Sequence, residues 1–288
     1  MGRRGIEKAG SPVPRPRRPS RRPPSDLYRP ELARFLVRVL SSLAIYHRYE
    51  LQGIERIPSG PALLVANHSA GASLTDGLFL IRYYELRGTA EPVHPLAHDF
   101  FFKRLHLGRL IGPLGVVAAN HENSREVLAR GRKILVFPGS DHDSLRPWSR
   151  RKEVVLAGHT GFARLAIEAG VPIVPVVTAG AHEVFVVLTQ GKRLAKALGL
   201  ERFVRWHSFP VTLCLPWIVA VGPLAYLPYL PLPARITTRI AEPLAPQWWE
   251  SLAEAGEERV ERVYEETRSR MQRTLTELYA ERRFPVLG

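Results

Sequence analysis

The sequence predicts an α/β fold with a mostly parallel sheet flanked by helices. The main observation is that short apolar runs, typical of buried strands, alternate with longer runs that have helical periodicity. The strand-like runs are 62–66, 114–118, 134–136 and 173–177, and the helix-like runs are 76–86, 122–130 and 162–168. Such alternation is typical of βαβ units, whose strands pair in parallel. The second observation is that polar loops follow two of these strands directly, as expected at the carboxyl edge of such a sheet.

Length and composition indicate one α/β domain with additions at both ends. The 288 residues are enough to bury a large core. We predict a basic arm over 1–25, an amphipathic helix over 26–48, an α/β domain over 49–245 and a C-terminal helix over 246–288. The single cysteine, Cys214, lies in an apolar run, so we expect a small buried side chain there and no internal disulfide.

The basic arm holds half of the formal charge of the chain. Residues 1–24 contain eight arginines and lysines, one glutamate and six prolines, a net +7 out of +14. Such a segment lacks the apolar residues for a core, and we predict that it is disordered. It also lacks the apolar stretch of a secretory signal. Charge alone would attract any polyanion, either nucleic acid or an anionic membrane.

Two apolar segments favour the membrane. The first is the helix at 26–46, which has arginines on one side and a stripe of large apolar residues at Leu32, Phe35, Leu36, Val39, Leu40 and Leu43. It is too short and too charged to cross a bilayer but suited to the interface, although a helix that merely covers the core has the same pattern. We therefore expect an anionic membrane surface as partner and no nucleic acid, with the protein peripheral or monotopic on the cytoplasmic face of the cell membrane.

The second apolar segment is 206–234, which has no charged residue and contains two tryptophans and two tyrosines. Its six prolines would break a continuous helix, so a transmembrane helix is not expected. We predict core strands and an apolar lip that enters the bilayer; the alternative is a set of purely interior strands. The C-terminal helix, from about 246 to 281, has one apolar stripe that should pack on the domain, formed by Val260, Val263, Tyr264, Met271, Leu275 and Leu278.

The candidate site lies where two of the strands end. Asn67-His68 follows strand 62–66, and the carboxylate Asp76 comes after a loop of small residues. The second strand ends in Phe137-Pro138-Gly139-Ser140, where proline and glycine force a turn. A histidine beside a carboxylate is suited to general-base chemistry, while the alternative for His68 is a hydrogen-bonded structural histidine. Asp141-His142-Asp143 is expected to be a polar loop or an acceptor contact, and no metal site is expected.

These motifs, in this order, resemble those of the glycerolipid acyltransferase superfamily. The resemblance covers roughly 51–244 and includes the valine- and proline-rich run 171–176. It is nearest to a branch with the block Phe-Pro-Gly-x-Asp-x-Asp and a downstream Arg-Pro, here 137–143 and Arg146-Pro147; that branch includes diacylglycerol-acyltransferase-like enzymes. The resemblance implies a glycerolipid-acyltransferase-like fold, with His68 and Asp76 as the catalytic pair. The substrate-binding residues that it implies are Asn67, Ser69, Phe137, Pro138, Gly139, Ser140 and Arg146.

The implied activity is transfer of an acyl chain from a thioester to the hydroxyl of a glycerolipid or related lipid alcohol. The donor would be an acyl-CoA or acyl-carrier-protein thioester as co-substrate, with no cofactor. His68 would take the proton of the attacking hydroxyl, and Asp76 would orient the imidazole. The alternative is a catalytically silent lipid-binding or membrane-scaffold protein on the same fold.

Three departures from the usual family pattern bear on this expectation. The carboxylate usually follows the histidine after four residues, but here Ser73 is at that position and Asp76 is the first carboxylate. Either the loop 71–73 bulges to return Asp76 to His68, or the pair is broken. The structural alternative for Asp76 is a capping box with Ser73 at a helix start, and the two roles are compatible. Asp141 replaces a glutamate, and no arginine for an acceptor phosphate is present at 117–120. The last two changes weaken the case for a glycerol-phosphate acceptor and favour a neutral or different alcohol.

Overall fold

The computed structural model describes residues 24–68, 75–104, 106–198, 209–222, 224, 230–284 and 286–287. Several predictions lie outside this part of the chain. They concern the arm before residue 24, Ser69, the loop 69–74 with Ser73, and residues 206–208, 223 and 225–229 of the apolar segment. The described strands form a large sheet of seven strands and a small sheet of three.

The large sheet is mostly parallel, as predicted. Its strands are β1 (Glu50–Gln52), β2 (Ala62–Ala66), β3 (Val93–Ala97), β4 (Val117–Ala118), β5 (Lys133–Val136), β6 (Ile173–Ala179) and β10 (Thr237–Ile240). They lie in the order β1-β10-β6-β2-β5-β3-β4. Strands β2 to β6 run parallel, whereas β10 pairs antiparallel with β6 and parallel with β1.

The chain connections diverge between β2 and β5, at the centre of this sheet. From β2 the chain passes beyond β5 to reach β3, and from β5 it passes beyond β2 to reach β6. Diverging connections leave a crevice at the carboxyl ends of the two strands, which is where ligands bind in open α/β sheets. Val65 lies opposite Val136 in the register, so the polar residues that follow the two strands meet in this crevice.

Helices cover both faces of the large sheet. Helices α1 (Pro30–Tyr46) and α2 (Gly77–Arg87) pack on one face, and α5 (His121–Ala129), α7 (Gly161–Ala169) and α10 (Gly256–Ala280) pack on the other. The shorter helices are α3 (Asp99–Lys103), α4 (Gly108–Ile111), α6 (Ser140–Ser144), α8 (Lys192–Ala197) and α9 (Pro246–Glu250). In β2, Leu63 faces the second group and Leu64 the first, and both are fully buried. Each such side chain contributes about 2 kcal/mol of hydrophobic stabilisation.

The C-terminal helix has the predicted apolar stripe but is interrupted near its start. All six predicted stripe residues are buried against the core. The predicted helix over 246–281 is divided into α9 and α10, because Trp249 is drawn into the core and Gly256 adopts a positive φ of 56°. A left-handed residue cannot continue an α-helix, so α10 begins there anew.

Helix α1 begins at Pro30, four residues later than predicted, with proline in the favoured first turn. It packs onto the core through Ala33 and Val37. The helix therefore covers the core, which was the alternative to a helix at the membrane interface. Phe35 and Val39 nevertheless remain exposed. The helix therefore has one face on the domain and a second apolar face toward solvent.

The small sheet contains β7 (Val186–Thr189), β8 (Val211–Cys214) and β9 (Ile218–Val221), all antiparallel. Its inner face packs on α2 through Leu78 and Ile81, and Cys214 is buried there, as predicted. Burial raises the pKa of the Cys214 thiol. The outer face carries the exposed apolar side chains of Val219 and Val221, and Ile218 at the start of β9 is 71% exposed. Within the described ranges, no helix combines the length and apolar character needed to cross a membrane.

Candidate active site

His68 lies two residues beyond the end of β2, at the central crevice. Its Nδ1 is 2.6 Å from Oδ2 of Asp76, and both side chains are mostly buried, with 17% and 10% exposed. Asp76 directly precedes α2 and makes no capping hydrogen bond to the described residues of that helix. The structure therefore brings the two predicted residues together despite their unusual spacing, and the carboxylate faces the imidazole rather than the helix end.

The surroundings of His68 favour its protonated form. Burial by itself lowers the pKa of the ring, but the negative charges of Asp76, Asp143 and Asp141 outweigh this effect, so the pKa of His68 is raised above 6.5. Because Nδ1 faces Asp76, Nε2 is the nitrogen that can exchange a proton with a substrate. Imidazole and carboxylate thus have the relative arrangement of a general base and its orienting group.

The turn after β5 forms the opposite wall of the site. The Phe137 ring lies against the His68 ring, with 4.8 Å between their centroids. The Pro138 carbonyl is 2.7 Å from Nδ1 of His159. A Cβ atom on Gly139 would lie 2.0 Å from the carbonyl oxygen of Val155, so this close approach requires glycine.

Ser140 and Asn67 use their polar groups in ways that the sequence did not predict. Ser140 is exposed with a positive φ of 46°, and its N–H donates to the Phe137 carbonyl, so this amide is already engaged in the turn. The Asn67 amide is buried and pairs at both ends with the backbone of Thr178, at 2.9 and 2.8 Å. Asn67 therefore extends the contact between β2 and β6, and its substrate contact stays a prediction.

Arg146 also differs from its predicted position. Its side chain is 1% exposed and forms an ion pair of 2.5 Å with the fully buried Asp143. The guanidinium also donates to the backbone carbonyl of Glu153. Arg146 therefore holds Asp143 in this structure, and its contact with an acceptor stays a prediction.

Two residues contact the backbone of His68 in a way that the sequence did not predict. Asp143 accepts a hydrogen bond from the His68 N–H at 2.6 Å, and Nε2 of His182 lies 3.1 Å from the His68 carbonyl oxygen. The i, i+3 spacing of Asp143 and Arg146 was an available signal for a local ion pair. His182 gave no such signal, because it follows β6 far along the chain and reaches the site only through the sheet order.

Comparison with known proteins agrees with the fold and the motifs. Residues 48–179 match a family model described as Acyltransferase. An uncharacterized protein of Mycobacterium tuberculosis is 30% identical over 246 residues, which cover 84% of this chain and 65% of that protein. This chain therefore covers less than two thirds of the length of that relative.

Two further similarities are relevant. A Gallus gallus protein named "DGAT1/2-independent enzyme synthesizing storage lipids" is 34% identical over 140 residues, 48% of this chain and 41% of that protein. The crystal structure of PlsC, the 1-acyl-sn-glycerophosphate (LPA) acyltransferase of Thermotoga maritima, superposes with a TM-score of 0.50 at 17% identity, over 88% of this chain and 81% of that one. At this sequence identity, the similarity to PlsC concerns the fold alone.

The family model and the fold together define an acyltransferase-type domain that includes residues 48–179. Together with the storage-lipid relative, they support the glycerolipid acyltransferase superfamily that the motifs predicted.

Proposed function

We propose that this protein transfers an acyl chain from an acyl thioester to the hydroxyl of a glycerolipid or related lipid alcohol. The observation that carries the proposal is the 2.6 Å contact between His68 and Asp76 at the carboxyl edge of the sheet. The expectation that His68 is only structural, or that Asp76 only caps a helix, does not explain why the two side chains face each other in the crevice.

In the proposed reaction, Nε2 of His68 removes the proton of the acceptor hydroxyl as its oxygen attacks the thioester carbonyl. The new C–O bond replaces the C–S bond, and the thiol leaves with a proton returned from the imidazolium. Asp76 holds the imidazole through Nδ1 and stabilises its positive charge during the transfer. Because the thioester is already activated, the step needs no metal, cofactor or covalent acyl-enzyme. The thiol is that of coenzyme A or an acyl carrier protein.

A neutral acceptor fits the site better than a phosphate ester. The arginine predicted to contact the acceptor, Arg146, is enclosed and paired with Asp143. The family pattern would place a phosphate-binding arginine near Asn120. Asn120 instead caps α5 by accepting the Asn123 N–H at 2.8 Å. The Gallus gallus relative is named as an enzyme that synthesises storage lipids. We therefore propose a diacylglycerol, monoacylglycerol or long-chain alcohol as acceptor.

The direct test is thiol release from acyl-CoA with a panel of acceptors, followed by mass spectrometry of the lipid product. His68→Ala should reduce kcat by about 100-fold or more while the protein stays folded, because the proposed general base is lost. His121→Ala is the matched control, since His121 is half exposed and pairs with Glu168 on the surface. Turnover of His68→Ala close to wild type would remove His68 from the mechanism. Absence of activity with any acceptor or thioester would favour the silent lipid-binding alternative.

We also propose that the protein works at the cytoplasmic surface of a membrane. An apolar lip is formed by the exposed side chains of Ile45, Leu215, Trp217, Ile218 and Leu230. Its parts are joined, because Tyr46 donates to the Pro231 carbonyl at 2.7 Å and Leu215 pairs with Leu230. Exposed Arg48 donates to the nearby Pro233 carbonyl, which places a positive charge beside the lip. Apolar residues bordered by arginine fit the interface of an anionic bilayer.

A further inference from the structure

The peptide of His68 is held on both sides by buried side chains. Its N–H donates to Oδ2 of Asp143 at 2.6 Å, and its carbonyl oxygen is 3.1 Å from Nε2 of His182. A carbonyl can only accept, so His182 carries its hydrogen on Nε2 and donates. Strand β2 ends at Ala66, so these two contacts continue the restraint on the backbone past the last ladder pair.

A buried arginine secures the Asp143 contact. Asp143 is completely buried and shares its carboxylate between the His68 N–H and the Arg146 guanidinium. Burial raises the pKa of Asp143 to about 6, although the charge of Arg146 opposes this effect. Hydrogen bonds to an ionised acceptor are roughly twice as strong as neutral ones, so the carboxylate holds the peptide more firmly than an amide would.

The His182 contact is secured from other parts of the chain. His182 is buried, and burial together with the nearby charge of Arg146 lowers the pKa of His182, so the ring stays neutral. The next residue, Glu183, is fully buried and pairs with Arg282 at 2.5 Å and with Arg151 at 3.6 Å. The backbone that carries His182 is thereby tied to the loop after α6 and to the end of α10.

We infer that Asp143 and His182 are positioning residues that hold the His68 peptide so that the imidazole meets Asp76 and the acceptor in one geometry. The inference deepens the proposed function and rests on His68 as its base. Asp143 acts in a second way, because its negative charge faces His68 and favours the imidazolium. The charged and titratable groups around the ring and its peptide are Asp76 before α2, Asp141 and Asp143 on α6, Arg146 after it, and His182 after β6.

The first test replaces Asp143 with asparagine. The His68 N–H donates to one carboxylate oxygen of Asp143 and the Arg146 guanidinium to the other, and an amide keeps only one of these two atoms as an acceptor. Asp143→Asn should therefore lower kcat by about 10- to 100-fold with little change in KM. The pKa of His68, measured by NMR titration of its ring, should fall by about one unit. The acid limb of the kcat/KM profile should move to lower pH together with the pKa of His68. Asp141→Asn is the comparison, because it also removes a charge near His68 but leaves the peptide contact intact.

Asp143→Asn leaves Arg146 without its carboxylate, and the variant could unfold for that reason. The double variant Asp143→Asn/Arg146→Gln removes both buried charges, and its kcat tests the same peptide contact without an unpaired guanidinium. A folded Asp143 variant with the kcat and the His68 pKa of the wild type would overturn the inference for Asp143.

The second test separates the hydrogen bond of His182 from its volume. His182→Gln can place an amide N–H near the position of Nε2, whereas His182→Phe fills the space without a donor. We expect His182→Gln to retain most of kcat and His182→Phe to lose about 10-fold, again with little change in KM. Equal kcat in the two variants would overturn the inference for His182. If the wild type itself releases no thiol, the proposed function fails, and the NMR titration of His68 still tests the Asp143 contact.

Discussion

His68 is restrained through its ring and through its peptide by different groups. The ring is oriented by Asp76 at 2.6 Å and lies against Phe137, whereas the peptide is held by Asp143 and His182. A general base must be in the right place and in the right protonation state, and these are separate requirements. In this site the three aspartates set the charge, and two of them also make direct contacts with His68.

The charge of Asp76 determines where activity is lost at low pH. The proposed base, His68, is active when neutral, and its pKa is raised above 6.5, so kcat/KM should rise with pH through a pKa above that value. Asp76→Asn removes a negative charge, which lowers the pKa of His68 and moves this limb to lower pH. The plateau of kcat should fall by about 10²- to 10⁴-fold because the orienting carboxylate is lost. Asp26→Asn, at the far edge of the sheet beside Arg130, is the control. An acid limb of the pH profile that stays at the wild-type pH in Asp76→Asn would contradict the prediction.

The absence of a side chain at Gly139 sets the shape of the turn. A Cβ atom there would lie 2.0 Å from the Val155 carbonyl oxygen and 2.5 Å from Cβ of Asp143. We expect Gly139→Ala to lower the free energy of unfolding by about 2 kcal/mol or more, measured by urea denaturation. Gly161→Ala is the control, because nothing surrounds that position in α7 and alanine favours the helix. Equal free energies of unfolding for Gly139→Ala and Gly161→Ala would show that the turn does not require glycine at position 139.

Among the elements, β8 and β9 form a hairpin that is apolar on both faces. The inner face packs on α2, the helix that Asp76 precedes, and the outer face is exposed. An antiparallel sheet with one face in solvent normally alternates apolar and polar residues, and β9 departs from this pattern. The departure has a physical reason if the outer face meets lipid.

The hairpin should contribute directly to membrane binding. Ile218→Glu places a charge on its most exposed residue, so binding to vesicles of anionic phospholipid should weaken about tenfold in a flotation assay, while the unfolding temperature stays unchanged. Leu86→Glu is the matched control, because Leu86 is half exposed near the far end of α2. Equal vesicle binding by Ile218→Glu and the wild type would exclude the hairpin as a membrane contact.

Across the whole molecule, α10 connects the C-terminal segment to the site. Arg282 follows α10 and pairs with Glu183, the neighbour of His182, while Arg151 approaches the same carboxylate from the other side. Buried carboxylates are costly when a partner is removed, so this contact couples the fold of the C-terminal segment to the region around His68.

Arg282→Met should therefore destabilise the protein by about 3 kcal/mol in urea denaturation at pH 8. The pKa of Glu183 is raised to about 7 by burial, so its folded-state pKa lies above the unfolded value of 4.5. The penalty should shrink toward pH 5, where the carboxyl group is protonated in the folded state. Arg283→Met changes an exposed neighbour and should cost less than about 0.5 kcal/mol. A loss of stability equal in the two variants would contradict a buried ion pair.

The sequence by itself determined the architecture and the location of the site. Strand and helix periodicities are local, and the turn at Gly139 and the end of β2 are visible in a few residues, so both walls of the crevice were predicted together with His68. The stripe of the C-terminal helix was predicted for the same reason.

Only the tertiary structure decided which polar groups meet. It returned Asp76 to His68 across a displaced spacing, turned Arg146 inward onto Asp143, joined Asn67 to Thr178, and brought His182 to the peptide of His68. These contacts depend on strand order and on which groups become buried, and buried polar groups must find partners wherever the packing places them. Apart from the i, i+3 spacing of Asp143 and Arg146, the spacing of these residues along the chain does not indicate their contacts.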